Sequence, residues 1–326
     1  MKAAVVIENR LTIKEVDKPS VGSQQVLVKV RACGMNRADL KVASGQSYGR
    51  VGGDGTIVGL EFAGEVVSVG KEVKSIKSGD RVMCTGVGGG WAEYAVADWG
   101  RVIILPDNNM SWSKAASLPV ALQTMHDAVI TNGRLIEGET ILIQGASSGV
   151  GLMAMQIAKA KGAKKIIGTS TDPTRRNQLT DYGADLALDS RDNDWVQEVL
   201  EATDGKGVDL IIDQISGYVA NQNMEATAVS GRIVNVGRLG GFAGEFNFDL
   251  HAMRRIDYIG VTFRTRSIQE VRKVVQAMKD DLWEAVELGK LSLPIDKEFQ
   301  IGDAPEAVEY MRANKHFGKI IILVDI

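Results

Sequence analysis

The chain is predicted to be an α/β protein built around a doubly wound parallel sheet, with β-rich segments before and after it. Three observations predict this. A strand, a glycine-rich turn and a helix run without interruption over residues 140–159. From there to about residue 262, apolar strands alternate with helical stretches, as βαβ units require. The first third and the C-terminal segment carry short strand patterns without that alternation.

The composition agrees. At roughly 150 residues per domain, 326 residues suggest two domains. Hydrophobic residues make up 44% and charged residues 24%, which fits a globular chain and excludes disorder, collagen and coiled coil. The 36 glycines against 6 prolines indicate tight turns rather than linkers. A formal net charge of −3 gives no electrostatic reason to bind nucleic acid or an anionic membrane. Cys33 and Cys84 are too few for a disulfide framework or a four-thiolate zinc site. No signal-peptide core follows Met1. The longest uncharged stretch, 140–158, carries three glycines at its centre, which argues against a membrane helix. A soluble, cytoplasmic protein is expected.

Taken in order, 3–7 and 26–30 are β-branched runs bounded by polar clusters, and 44–59 is a long glycine-rich loop. Strands follow at 64–70, at 81–84 after a turn at 77–80, and at 93–97. Closely spaced turns suggest a barrel or sandwich. In the middle, strands are expected at 140–144, 165–169, 186–188, 208–213, 232–236 and 256–262, with helices at 149–161, 173–182, 195–202 and 220–229. A helix runs from 267 towards Gly289. The strands 295–300 and 319–324 resemble the first third, so the last segment is expected to fold back onto the N-terminal domain.

The turn Gly145-Ala-Ser-Ser-Gly-Val-Gly151 sits between an apolar strand and a helix. Glycines there permit a tight turn and the approach of a pyrophosphate, and the amides at the helix start hold the anion. Gly145, Ser148, Gly149, Val150 and Gly151 are therefore candidate cofactor residues; a tight turn without ligand is the alternative. In such sites an acid about 20 residues on binds a ribose 2′-hydroxyl. Ser170 stands there instead, followed by Arg175 and Arg176. A missing carboxylate with arginines nearby favours a 2′-phosphate, hence NADPH over NADH. Asp172 precedes Pro173 and reads as a helix N-cap with proline at the first helical position. Arg175 is either a 2′-phosphate ligand or a solvated helix residue.

Several segments together resemble one family. They are Ala32-Cys-Gly-Met-Asn-Arg-Ala-Asp39, Gly59-Leu-Glu-Phe-Ala-Gly64, Gly90-Trp-Ala-Glu-Tyr94, Ala116-Ser-Leu-Pro119, Gly145 to Gly151, and His316-Phe-Gly-Lys-Ile320. The chain resembles the medium-chain dehydrogenase/reductase superfamily over essentially its whole length, and within it the zinc-independent quinone oxidoreductase branch. The resemblance implies a Rossmann-type nucleotide domain, 119–263, inserted into a GroES-like β-barrel catalytic domain formed by 1–118 and 264–326. It implies a cleft between them, bound NADPH, a small-molecule substrate and a homodimer.

Zinc members of the superfamily carry an early cysteine or similar ligand, a His-Glu pair and a four-cysteine lobe. Here the pair reads Leu60-Glu61, and the lobe region holds a single cysteine. The three histidines, His126, His251 and His316, show no ligand spacing. No metal is expected, and Cys33 reads as a small buried hydrophobe. Without a Lewis acid, hydride transfer suits acceptors that spread their charge, such as quinones and α,β-unsaturated carbonyls.

The resemblance also implies roles for single residues. Asn36 and Tyr48 are the candidate hydrogen-bond donors to the acceptor; the alternatives are a turn residue and a surface loop aromatic. Asp39 and Glu61 read as structural, with Glu61 buried beside a base. Thr124 is expected beside the nicotinamide, and the backbone of Val236 and Gly237 near its carboxamide. Phe263 and Arg264 are expected to end the sixth strand facing the cleft, with an interdomain salt bridge as the alternative for Arg264. Three positions depart from the family pattern. His126 replaces an aromatic, and is either a proton donor or a packed structural histidine. Ser190 stands where a tyrosine often meets the 2′-phosphate, and Ser148 replaces a common glycine. The rival functions are a zinc-free alcohol or carbonyl dehydrogenase and a non-catalytic NADPH-binding sensor.

Overall fold

The computed structural model describes residues 1–106 and 109–324. Along the chain the strands are β1 (Lys2–Ile7), β2 (Arg10–Glu15), β3 (Gln25–Gly34), β4 (Glu61–Val69), β5 (Arg81–Thr85), β6 (Tyr94–Asp98), β7 (Val102–Ile104), β8 (Thr140–Gln144), β9 (Lys165–Thr169), β10 (Leu186–Leu188), β11 (Val208–Asp213), β12 (Thr227–Asn235), β13 (Asp257–Gly260), β14 (Ile295–Gln300) and β15 (Lys319–Leu323). The α-helices are α1 (Arg37–Ala43), α2 (Trp112–Ser117), α3 (Pro119–Met125), α4 (Gly149–Ala160), α5 (Pro173–Asn177), α6 (Trp195–Ala202), α7 (Ala220–Ala226), α8 (Phe248–Arg254), α9 (Ile268–Glu287) and α10 (Ala304–Arg312).

The described chain divides into two compact units. The first comprises Met1–Ala121, Phe263–Asp281 and Ser292–Ile326; the second comprises Leu122–Thr262 and Leu282–Leu291. The boundary at residue 281 falls inside α9.

In the first unit a seven-stranded sheet runs β14-β15-β3-β4-β5-β7, with β6 pairing the other stretch of β3. Strand β3 is ten residues long, so it can serve β4, β6 and β15 along its length. Its Val26, Val28 and Val30 alternate into a core that also holds Phe62, Trp91, Ile320 and Ile322. The C-terminal strand β15 pairs antiparallel with β3, Ile322 opposite Cys33. The chain end thus returns to the N-terminal fold, as the sequence suggests.

In the second unit six parallel strands run β10-β9-β8-β11-β12-β13. The order reverses direction between β8 and β11, which marks the topological switch point of a doubly wound sheet. Both faces are covered, so the central strands are apolar without alternation. Ile141, Leu142 and Ile143 of β8, and Leu210, Ile211 and Ile212 of β11, are all fully buried.

Some boundaries differ from expectation. Strand β12 starts at Thr227 rather than 232, and α7 stops at Ala226, where the Thr227 hydroxyl donates to Asn223 O at 2.6 Å. Strand β13 ends at Gly260, so Phe263 and Arg264 lie beyond the sixth strand rather than at its end. The polar strand β2 has no sequence signal of its own, because only its pairing with β1 makes it a strand. Among the described residues no helix is long and apolar enough to cross a membrane.

Candidate functional site

The glycine turn lies at the carboxyl end of β8, beside the switch point. Gly145 takes φ +70°, a conformation that an L side chain rarely adopts, and its N–H donates to Thr169 Oγ1 at 3.0 Å. Ser148 is the N-cap of α4: its Oγ accepts from Gly151 N–H at 3.1 Å, and its carbonyl takes the Leu152 N–H at 2.9 Å. The Gly149 and Val150 amides are then the first-turn donors that an α-helix leaves open, at the positive end of its dipole. This cradle fits an anionic diphosphate. Gly151 has a further reason to be glycine. A Cβ there would lie 2.6 Å from Ala146 Cα and 2.7 Å from the Gly145 carbonyl oxygen. It is required by the turn's own packing, so a Gly151→Asp change perturbs the fold as well as any ligand.

Ser170 follows β9 directly, and its Oγ donates to Ser147 Oγ of the glycine turn at 3.0 Å. No carboxylate occupies that position. Asp172 caps α5 as expected, accepting from Arg175 N–H at 2.9 Å with Pro173 in the first turn. That amide, more than the guanidinium, holds the Asp172 carboxyl below its usual range. Arg176 is committed to Ser170 O and to Asp189 Oδ2, both at 2.9 Å. The Arg175 Nε lies 3.7 Å from Asp172, with its side chain largely shielded. Ser190 is buried.

Val236 and Gly237 follow β12 and donate through both amides to Asp213 O, at 2.8 and 3.1 Å. Their carbonyls accept from Arg238 at 2.9 Å and from Ser216 Oγ at 2.7 Å. Thr124 is a half-buried residue of α3. His126 begins a π-helical turn over His126–Asn132 and is 1% exposed, which suits the packed reading better than a solvent-fed proton donor.

The first unit holds two further groups. Asn36 is the N-cap of α1, but the bond that closes this end comes from Asp39, whose Oδ2 accepts from Asn36 N–H at 2.7 Å. The Asn36 side chain is therefore engaged elsewhere. Its Nδ2 donates to Glu61 Oε1 at 2.9 Å, and its Oδ1 accepts from Lys319 Nζ at 3.1 Å. Lys319 also donates to Met35 O at 2.9 Å and pairs with Glu61 Oε1. Glu61 Oε2 takes the Val120 N–H at 2.8 Å. Glu61 is fully buried and Lys319 only 4% exposed. Glu61 is thus buried beside a base, and sequence reasoning does not identify Lys319 as that base. Asp39, also fully buried, is pushed up to about 7, chiefly by desolvation and further by Glu61, against the Asn36 amide and Lys319. Asp39 therefore holds its proton to a much higher pH than an ordinary carboxyl, while Lys319 pairs with Glu61.

Tyr48 lies in the loop between α1 and β4, where its backbone bridges to Val51. The Arg264 guanidinium sits 5.6 Å from its ring centroid, and a Cβ on Gly49 would come within 3.3 Å of Arg264 O. Two residues named separately from the sequence are therefore neighbours within one unit. Arg266 stacks on Phe263 at 4.9 Å.

The Cys33 and Glu61 side chains are engaged within the fold rather than set up as metal ligands. The Cys33 thiol donates to Gly90 O at 2.9 Å, and burial pushes its pKa well up, away from the thiolate a metal needs. Both Glu61 oxygens already accept from Lys319, Asn36 and Val120. Among the described residues no group of three or more His, Cys, Asp or Glu side chains is arranged to hold a metal ion.

Comparison with known proteins gives a consistent assignment. A model of the alcohol dehydrogenase GroES-like domain matches residues 22–107, and a model described as zinc-binding dehydrogenase matches residues 149–280. The quinone oxidoreductase of Lama guanicoe is 30% identical over 312 residues, 95% of this chain and 92% of that protein. A phenolphthiocerol/phthiocerol polyketide synthase of Mycobacterium tuberculosis is 31% identical over 315 residues; the match takes 96% of this chain but spans only 14% of that protein's length. A solved quinone oxidoreductase from Pseudomonas syringae superposes with a TM-score of 0.86 at 27% identity, covering 99% of this chain and 100% of that one. With the switch-point glycine turn, the returning C-terminal strand and these matches, the chain belongs to the medium-chain dehydrogenase/reductase superfamily, in its quinone oxidoreductase-like branch.

Proposed function

We propose that this oxidoreductase is an NADPH-dependent, metal-independent reductase of quinones or α,β-unsaturated carbonyls. The observation that carries the reading is the Gly145–Gly151 turn at the switch point, followed by a second strand that ends in Ser170 rather than an acid. Bound NADPH supplies the hydride. The Gly149 and Val150 amides hold the diphosphate, with Ser148 fixing the helix end. Ser170 and Arg175 take the 2′-phosphate, an anion for which a carboxylate at position 170 would be repulsive. Thr124, Val236 and Gly237 are assigned to the nicotinamide half.

On the acceptor side we assign Tyr48 as a hydrogen-bond donor to the developing oxyanion, with Arg264 holding its ring. Asn36 retains one amide hydrogen beyond its bond to Glu61, so a donor role is compatible with its network. The engagement of Glu61 and Cys33 supports chemistry without a metal, and hence acceptors whose charge is delocalised. Residues 1–118 and 264–326 form the catalytic domain in this reading. The protein is cytoplasmic in this reading, from its composition and N-terminal pattern, and a homodimer, which the resemblance implies.

The test is anaerobic NADPH oxidation with one ortho-quinone and one α,β-unsaturated ketone at matched concentration, with product identification. Turnover of either, undiminished by a chelator, supports the proposal, and the product decides the acceptor class. NADPH binding without turnover of either acceptor would refute it in favour of a simple-carbonyl dehydrogenase or a sensor.

A further inference from the structure

Beyond β11 and β12 the two segments do not separate. Besides the two amides on Asp213 O, Leu239 N–H donates to Gln214 O at 3.1 Å and Gly240 N–H to Ile215 O at 2.7 Å. The loops run as a second, shorter ladder past the carboxyl ends of these strands. They are too close for side chains on the facing positions. A Cβ on Gly237 would lie 2.5 Å from Gln214 O, and one on Gly217 would lie 2.5 Å from Gly240 O.

One residue in this ladder is strained. Ser216 has φ +58° and ψ −154°, a conformation normally left to glycine. Two groups hold it there. Asp213 Oδ1 accepts from Ile215 N–H at 2.8 Å and from Ser216 N–H at 2.9 Å. The Ser216 hydroxyl donates to Gly237 O at 2.7 Å and accepts from Asn235 Nδ2. Asp213 is fully buried and Ser216 is 9% exposed.

The double loop abuts the glycine turn. Gln214 Oε1 is 3.1 Å from Ser148 Oγ, and the atom nearest a Cβ built on Gly145 is Ile215 Cδ1, at 3.1 Å. The strand order places this loop on the β11 side of β8, opposite the β9 side where a doubly wound site takes the adenosine ribose. In a doubly wound site the half of a dinucleotide beyond the diphosphate runs towards this side.

We propose that Asp213 and Ser216 are positioning residues for the nicotinamide half of the cofactor: their hydrogen bonds set the backbone of Gln214–Ser216 and Val236–Leu239 at a fixed height beside the glycine turn. Neither needs to touch the cofactor. The strain at Ser216 is held because relaxing it would pull the β11 loop away from Gly237. This inference rests on reading the glycine turn as an NADPH site.

The test compares NADPH with adenosine 2′,5′-bisphosphate, which carries the adenosine half alone. Equilibrium affinities are measured on the full chain for wild type, Ser216→Ala, Ser216→Gly and Asp213→Asn, with thermal unfolding recorded for each. Loss of the Ser216 hydroxyl is expected to weaken NADPH about tenfold, the scale of one lost buried hydrogen bond. Binding of the bisphosphate should stay within about twofold by the same reasoning. Ser216→Gly relieves the strain but lacks the hydroxyl, so it should behave like Ser216→Ala. Unchanged NADPH affinity in both Ser216 variants, or an equal loss for both ligands, would overturn the proposal. Asp213→Asn should follow the same pattern if it folds, and the Ser216 variants decide the matter if it does not. A wild-type chain that binds neither ligand would refute the cofactor reading itself, and this inference with it.

Discussion

Replacing Lys319 by methionine isolates the buried pair of the first unit. The substitution keeps most of the side chain's length and removes its charge. Glu61 would retain donors from Asn36 Nδ2 and Val120 N–H, at 2.9 and 2.8 Å, but no counter-charge at a site with no exposure. Breaking a buried pair from one side typically costs about 3–5 kcal/mol, because the remaining ion stays desolvated. At ~2–4 °C per kcal/mol for a unit of this size, the unfolding midpoint should fall by about 10 °C. Lys319 also lowers the Asp39 pKa, so its removal should push that group further up and make the loss greater at pH 8 than at pH 6. The double variant Glu61→Gln/Lys319→Met, uncharged at both positions, should recover much of the loss. Thermal unfolding by circular dichroism at the two pH values is measured for Lys319→Met, Glu61→Gln and the double variant. A loss under about 1 kcal/mol for Lys319→Met, the level of an exposed ion pair, would refute the reasoning, as would a double variant no more stable than the sum of its singles predicts.

Four further outcomes are expected. Asp39 titrates near 7 in the folded chain against 3.8 ordinarily, so its neutral form is favoured by folding. That contribution is fully present below about pH 4 and is lost as pH rises through about 7, a change on the order of 4 kcal/mol at ~1.4 kcal/mol per unit; Asp39→Asn should flatten this part of the stability profile, and a profile unchanged by the substitution would contradict it. Ser148→Ala removes the cap of α4 and should cost about 1 kcal/mol of stability together with NADPH affinity, measured by denaturation and titration. Tyr48→Phe keeps the ring beside Arg264 and should lower kcat about 10²-fold with NADPH binding unchanged, if the hydroxyl serves the developing oxyanion; an unaltered kcat would remove Tyr48 from the chemistry. Arg175→Ala should weaken NADPH roughly tenfold relative to NADH, and equal losses for both would argue that Arg175 only supports α5.

Much of the second unit is legible in the sequence because its signals are local. The spans Thr140–Gln144, Lys165–Thr169, Leu186–Leu188, Val208–Asp213 and Trp195–Ala202 are the observed elements, residue for residue. Each is an apolar run or a helical stripe bounded by turn residues, and a doubly wound sheet buries such strands on both faces. The Asp172–Pro173 cap and the Ser148 helix start are equally local, since each is a hydrogen bond over three residues. The folding back of the C-terminal strand is also legible, from its likeness to the first third.

The tertiary structure decided what depends on residues far apart in the chain. Lys319 meets Glu61 across 258 positions because β15 lies against β3, and β3 against β4. No periodicity predicts which base a buried acid will find. That pairing engages the Asn36 side chain, while burial, more than Glu61, raises the pKa of Asp39 beside it, so two residues that read as a catalytic donor and a helix-start acid belong to one buried network. Tyr48 meets Arg264 in the same way. Gly151 reads from its motif as a phosphate-binding glycine, yet the backbone packing of Ala146 already forbids a side chain there. The strained Ser216 is invisible in the sequence for a related reason: a serine after Asp-Gln-Ile carries no mark of positive φ, which is imposed by Asp213, Asn235 and Gly237 from two neighbouring strands. Local hydrogen bonding and burial patterns identified the elements and the glycine turn; long-range desolvation and packing determined which charges are paired, which acid has its pKa raised and which backbone is strained.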